Sequence, residues 1–303
     1  MEAMPGSDLA QVARIALARL GERYRIPTHD AEVVGQHSNL AVALPSAGLL
    51  VRVAGNPEAF DRIAASVRVT RWLAARDFPC VAPADVEPFT VDGHAVTVWR
   101  LLDIVPLPRG SAAELGGLLR TLHDQPDPPF PVRDLTDPLA GVAAALDHHG
   151  HALHEHDRAW LNQRVRELRE AWGDLEPARP VGLIHGDAHP NNLLRLSTGN
   201  GVLGDWDHTA RGPREWDLIQ PHYMRRRFRR HTEQELAEFT RAYGWDVRMW
   251  HGFDVLVQLR EISGLSPYLR KAPAQNWASK EVAHRVATLR AGDADATWNS
   301  PPR

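Results

Sequence analysis

The chain holds almost no lysine. Of its 35 basic residues only Lys271 and Lys280 are lysines, and arginine carries the rest of the positive charge. Neither sits in a G-x-x-x-x-G-K-[ST] run, so a Walker A loop, and with it the P-loop NTPase class, is excluded. No lysine precedes Lys271, which also excludes a lysine as phosphate anchor on an early strand. Cysteine is scarcer still. Cys80 stands alone, so neither an intramolecular disulfide nor a multi-cysteine zinc site can form, and a reducing compartment is expected. No apolar run approaches the roughly 20 residues of a membrane span. Met1 to Ser7 lack the basic and apolar segments of a signal peptide, so the expected location is the cytoplasm, with no membrane partner. Net charge is small, at -3, with both signs mixed along most of the chain, and nothing electrostatic calls for nucleic acid.

What is present is a chain of 303 residues, 43% hydrophobic, enough for a substantial core in one large or two modest domains. Ser7 or Asp8 can cap a helix in which Leu9, Val12, Ile15, Ala16 and Leu20 recur at helical spacing up to Gly21. Residues 32–35, 40–44 and 49–53 read as three short strands, and a helix follows at about 57–76. A hairpin from Val86 to Val98 turns at Asp92-Gly93, a favoured two-residue pair. From Ser111 the pattern becomes mainly helical. A Ser111-x-x-Glu114 capping box opens an apolar stripe through Leu115, Leu118, Leu119 and Leu122. Pro126 to Pro138 is a proline-rich connector, 157–173 a helix and 180–206 a set of short strands. Thr232-x-x-Glu235 caps another helix, helices over 246–264 and 276–290 follow, and the tail from Trp298 to Arg303 is expected to be loose.

The most informative run is Leu183-Ile184-His185-Gly186-Asp187-Ala188-His189-Pro190-Asn191-Asn192, followed by Gly204-Asp205-Trp206-Asp207 after a Gly199-Asn200-Gly201 turn. Apolar residues bracket each acidic cluster, so strand ends deliver Asp187 and Asp205 to loops. Asn192 lies five residues past Asp187, a spacing that suits a carboxylate facing a substrate hydroxyl and an amide oxygen turned to a metal.

H-G-D-x-x-x-x-N followed by D-x-D resembles the aminoglycoside phosphotransferase and choline kinase family of small-molecule kinases. The likeness spans roughly residues 30 to 265, with Glu215-Trp216-Asp217-Leu218, the Gly35 to Asn39 loop and Trp99-Arg100 falling at corresponding places. It implies an α+β, bilobal protein-kinase-like fold: a small antiparallel-sheet lobe over 1–102, a hinge near 99–103 and a helical lobe over 103–303. It further implies O-phosphorylation of a small hydroxylated acceptor, an antibiotic (resistance or self-protection) or a related sugar or amino alcohol, with Mg²⁺ and a purine nucleoside triphosphate, ATP or GTP, as donor.

On this reading Asp187 is the catalytic carboxylate that accepts or orients the proton of the attacking hydroxyl. Asn192 and Asp205 resemble magnesium ligands, as hard oxygen donors should. Asp207 joins them if both acids of D-x-D bind metal, although some relatives carry a non-acidic residue there. His185 is similar to a histidine that packs and hydrogen-bonds, and Asp217 to a buried aspartate that braces loop amides. Gly35, His37, Ser38 and Asn39 either cradle phosphates or form an ordinary hairpin turn. Trp99, Arg100 and Leu101 belong to the hinge expected to hydrogen-bond the purine through its backbone. Arg52 occupies the place where the family commonly has its phosphate-binding lysine, and a guanidinium can grip two phosphate oxygens at once. Its other reading is an outward strand arginine. Ser66 stands where the lysine's partner glutamate is expected, so either Glu58 or Asp61 reaches Arg52 or the ion pair is missing.

Two charged segments stay open. Asp147 to Asp157 collects five histidines, either a solvated connector or an adventitious Zn²⁺ or Ni²⁺ site. Arg225-Arg226-Arg227-Phe228-Arg229-Arg230 reads as a solvated helix face, or as an edge of the acceptor cleft that would disfavour a polycation. The rival functions are a degenerate kinase-like nucleotide-binding module, which the intact Asp187, Asn192 and Asp205 oppose, and a two-metal phosphoesterase, suggested by Gly186-Asp187-Ala188-His189 but lacking the early D-x-H strand end and the G-N-H-[DE] loop that chemistry needs.

Overall fold

The computed structural model describes residues 5–36, 39–105 and 111–300. His37 and Ser38 therefore lie outside the described residues, as does the side chain of Glu58. The chain divides into two units: Met1–Gly110 with Pro128–Val132 and Pro190–Thr209, and Ser111–Asp127 with Arg133–His189 and Ala210–Arg303.

In the first unit, helix α1 (Pro5–Tyr24) lies against a five-stranded antiparallel sheet. The strands are β1 (Glu32–Gln36), β2 (Asn39–Leu44), β3 (Leu49–Ala54), β4 (Phe89–Val91) and β5 (His94–Arg100), in the order β1-β2-β3-β5-β4. Period-2 alternation decides what each face carries. Leu49, Val51 and Val53 turn into the core with Val12, Ala16 and Leu20 of α1, while Leu50 and Arg52 point to the opposite face. Each fully buried valine here contributes about 1.5–3 kcal/mol. Val34 is the extra residue of a bulge in β1, because Val33 pairs with Val42 and Gly35 with Ala41. The β4–β5 turn has positive φ at both Asp92 (48°) and Gly93 (82°), the conformation that matches the twist of a two-residue hairpin.

Helix α2 (Phe60–Ala74) begins after a 3₁₀ turn at Pro57–Ala59, so the expected helix over 57–76 is tighter in its first turn. It packs on a 3₁₀ turn at Trp206–His208, and Phe78 meets the Trp206 ring edge-on at 5.8 Å. This unit also holds 3₁₀ turns at Pro45–Ala47 and Pro190–Asn192 and two strands numbered after β6 below. Cys80 is buried beside Leu203, and burial pushes its thiol up to about 12, so it is not a thiolate nucleophile.

The second unit holds α3 (Ala112–His123), α4 (Ala140–His149), α5 (Glu155–Gly173), β6 (Gly182–Ile184), and later β9 (Ala210–Gly212), α6 (Glu215–Leu218), α7 (Gln220–Phe228), α8 (Glu233–Tyr243), α9 (Phe253–Ser263), α10 (Ser266–Lys271) and α11 (Asn276–Arg290). Between β6 and β9 in the chain, the first unit's β7 (Leu193–Arg195) and β8 (Gly201–Leu203) pair antiparallel. Ser111 Oγ accepts the Glu114 amide to start α3, and Thr232 with Glu235 forms a reciprocal capping box at α8. Helices α3 and α8 approach so closely that a Cβ on Gly116 would sit 2.4 Å from the Phe239 carbonyl oxygen. Among the described residues no helix is long and apolar enough to cross a membrane.

Four expectations need correction. The helix over 246–264 starts only at Phe253, because Asp246 caps a separate 3₁₀ turn at Val247–Met249 and Gly252 follows. Within the arginine run, Arg227 is 2% exposed: its Nε donates to Glu261 at 2.6 Å and its guanidinium stacks 4.7 Å from Trp298. The start of the tail is not loose, since Trp298 is buried and its amide donates to the Arg227 carbonyl at 2.7 Å. The histidine segment is not a plain connector: His148 and His149 end α4, a 3₁₀ turn spans Gly150–Ala152 and His154 precedes α5. Among the described residues no group of three or more His, Cys, Asp or Glu side chains is placed to hold a metal.

Candidate active site

The first unit contains a cavity of about 700 Å³, within the range of small-molecule sites. It opens on the sheet face that carries Arg52. Alternation brings Asn39, Ala41, Leu50 and Arg52 to its wall, and Val34, Trp99 and Leu194 add apolar surface. Arg100, Leu101, Asn192, Asp205 and Asp207 also line it. Gly35 is not part of the lining. A Cβ there would meet Ala41 Cβ at 3.8 Å, an ordinary contact, so the position does not demand glycine.

The segment after β5 forms one edge of the cavity and is stitched down by backbone bonds. Arg100 N–H donates to Ala82 O at 2.9 Å, Leu101 N–H to Gly48 O at 2.9 Å and Val105 N–H to Arg195 O at 3.0 Å. The amides of Arg100 and Leu101 are thus already engaged, and the Trp99 indole N–H donates to Thr97 Oγ1 at 2.8 Å.

Arg52 grips Asp207 with both guanidinium nitrogens, Nη1 to Oδ1 at 2.8 Å and Nη2 to Oδ2 at 2.5 Å, and lies 3.9 Å from Asp205. Burial pushes the Asp207 carboxyl up, but the hydrogen bonds and charge of Arg52 outweigh it and hold the group below the usual carboxylate range. Burial likewise opposes the Arg52 charge, and Asp207 more than restores it. No carboxylate comes from α2 at Ser66, which is fully buried with its hydroxyl donating to Ile63 O at 2.8 Å.

A backbone bond ties together the segments that carry Asn192 and Asp205. Gly204 N–H donates to Asn192 O at 2.8 Å across the β7–β8 hairpin, and Asp205 follows in a left-handed conformation at φ 57°. Aspartate tolerates that region better than most residues. The Asp205 side chain is 51% exposed, against 11% for Asp207. An amide oxygen and an accessible carboxylate in one cavity form a hard donor set, which fits Mg²⁺ taking further ligands from phosphates and water.

In the second unit, β6 ends at Ile184 and the chain turns through His185 and Gly186, at φ 84°, to Asp187. Buried Asp217 accepts the amides of His185 and Gly186 at 2.7 and 2.8 Å, and His123 Nε2 approaches it at 3.2 Å. Burial pushes the Asp217 carboxyl up, yet the hydrogen bond and charge of His123 prevail and leave it lowered. His185 is fully buried, and its Nδ1 accepts the Asp187 amide at 3.3 Å. Asp187 Oδ1 receives Gln220 Nε2 at 3.4 Å and has Arg260 Nη1 at 3.7 Å, while His189 Nε2 is 3.6 Å from Oδ2.

Arg260 and Gln220 were not singled out from the sequence. The available cue was a lone arginine within the apolar stripe Leu256, Val257, Leu259 and Ile262.

The profile of the phosphotransferase enzyme family matches residues 31–256. An amicoumacin kinase, solved in complex with AMP-PNP, Ca²⁺ and Ami, is 12% identical with a TM-score of 0.72, over 94% of this chain and 95% of its own. A choline/ethanolamine kinase family protein from Mesorhizobium loti is 21% identical with a TM-score of 0.63, over 92% and 94%. The aminoglycoside phosphotransferase APH(3'')-Id from Streptomyces rimosus is 15% identical with a TM-score of 0.62, over 84% and 98%. No match was found among curated proteins. At these identities the likeness shows the fold, which is kinase-like as expected, with a small antiparallel sheet and a largely helical remainder.

Proposed function

The chain belongs to the phosphotransferase enzyme family and is a small-molecule kinase, and from that premise we propose that it transfers the terminal phosphoryl group of ATP or GTP, with Mg²⁺, to a hydroxyl of an antibiotic or a related sugar or amino alcohol. The observation that carries this reading is the composition of the first unit's cavity, where apolar walls suited to a purine run into Arg52, Asn192 and Asp205. An ATP analogue and a divalent cation accompany the amicoumacin kinase, which supports the same donor chemistry.

Asp187 supplies the acceptor side. Its carboxylate takes the hydrogen bond, and then the proton, of the acceptor hydroxyl as that oxygen attacks the terminal phosphorus and the bond to the bridging oxygen breaks, releasing the nucleoside diphosphate. Asp217, by fixing the His185 and Gly186 amides, keeps the Asp187 loop in one conformation. Arg52 meets phosphate charge, and Asn192 and Asp205 hold the metal. When bound, magnesium offsets the charge of the phosphate oxygens. The purine takes its backbone bonds from the segment Trp99 to Asp103, through groups other than the engaged amides of Arg100 and Leu101.

Incubating the protein with Mg²⁺, ATP or GTP and a panel of hydroxylated antibiotics, sugars and amino alcohols tests the proposal. Diphosphate release that depends on one acceptor class, with that acceptor gaining a phosphate by mass, is the expected result. No acceptor-dependent release together with no nucleotide binding would sink it.

A further inference from the structure

We propose that Asp207 is a positioning residue of the donor site: its carboxylate holds the Arg52 guanidinium ready for the donor phosphates, leaving Asp205 as the acid of Asp205-Trp206-Asp207 that serves the metal. The inference rests on the donor-site reading above.

Both Asp207 oxygens are already hydrogen-bonded to Arg52 in a planar two-point grip, the geometry in which arginine binds carboxylate most specifically. A cation ligated by this carboxylate would have to share its oxygens with two charge-assisted bonds and sit beside the Arg52 guanidinium, in a site where Arg52 is largely withdrawn from water and needs a partner. Asp205 is half-exposed and lies 3.9 Å from Arg52, beyond a hydrogen bond. Between the two acids, Trp206 is buried and its indole N–H donates to Leu203 O at 2.9 Å, which fixes the neighbouring carboxylates in different settings.

Ser66 of α2 brings no carboxylate and gives its hydroxyl to Ile63 O. A counter-ion for the strand arginine comes instead from 155 residues downstream. Arg52 and Asp207 should then act as one unit toward phosphate, with or without metal.

Calorimetric titration of ADP, in EDTA and in Mg²⁺, into the wild type, Asp207→Asn, Arg52→Met and the double variant tests this. Asp207→Asn should weaken ADP on the order of tenfold, the scale of one charge-assisted hydrogen bond, by the same factor in both buffers. The double variant should bind no worse than Arg52→Met, because coupled residues are not additive. Three outcomes overturn the proposal: loss confined to the Mg²⁺ enhancement, which makes Asp207 a metal ligand; tighter metal-free binding, which makes it a competitor of phosphate; and additivity of the two substitutions. Should Asp207→Asn not fold, Asp207→Glu keeps the charge at altered reach. It should lower both affinities alike, and a change in Mg²⁺ alone again overturns the idea. A wild type that binds no ADP in either buffer removes the donor-site reading itself, whereas binding with any overturning pattern removes only the role of Asp207.

Discussion

The guanidinium of Arg260 lies 3.7 Å from Asp187 Oδ1, stacks 4.1 Å from the centre of the Trp216 ring and donates to the Gly186 carbonyl at 3.0 Å. One buried side chain thus ties the candidate base to the turn that presents it. Burial lowers the Arg260 pKa, with the charges of Asp187 and Asp217 opposing that effect.

Replacing Arg260 by methionine keeps much of the volume and removes the cation. Loss of positioning at Asp187 should lower kcat on the order of 10²-fold, with ADP affinity unchanged. Steady-state kinetics and ADP titration on the folded variant check this. An unchanged kcat would leave Arg260 a purely structural residue.

Asp205→Ala should bind ADP in EDTA much as the wild type does and lose the gain that Mg²⁺ confers. The check is a pair of titrations with and without the metal. Retention of the full Mg²⁺ gain would take Asp205 out of the metal site.

His222 gives the folded protein an acid sensitivity. Burial, with the charge of Arg248 adding to it, pushes its imidazole down to about 4. The unfolded imidazole titrates near 6.5, so between these values the unfolded state binds the extra proton, and stability is lost as pH falls from about 6.5 toward 4. Urea denaturation at pH 7 and pH 5 should show the wild type losing about 2 kcal/mol more than His222→Asn. Equal losses would mean that His222 is protonated in the folded protein at pH 5.

Much of this molecule is legible from local pattern. The alternation in β3 turns Arg52 away from the core, the Thr232 and Glu235 pair marks the start of α8, and the 276–290 stripe coincides with α11. Those features are decided by neighbours within a few residues. The site's pairings are not. Asp187 and Arg260 lie 73 positions apart, and Arg227 is buried only because Glu261 and Trp298 arrive from later segments. An arginine run carries no local sign of which member will turn inward. The same holds for Asp207, whose partner is chosen by which strand face the sheet offers.

The most direct measurement of the central claim is phosphate transfer by Asp187→Asn, using whichever acceptor the panel identifies and a saturating donor. The account predicts a folded protein that binds ADP and Mg²⁺ as the wild type does, with transfer reduced at least on the order of 10²-fold, the scale of general-base and positioning effects. Transfer at a near-wild-type rate with normal nucleotide affinity would contradict it.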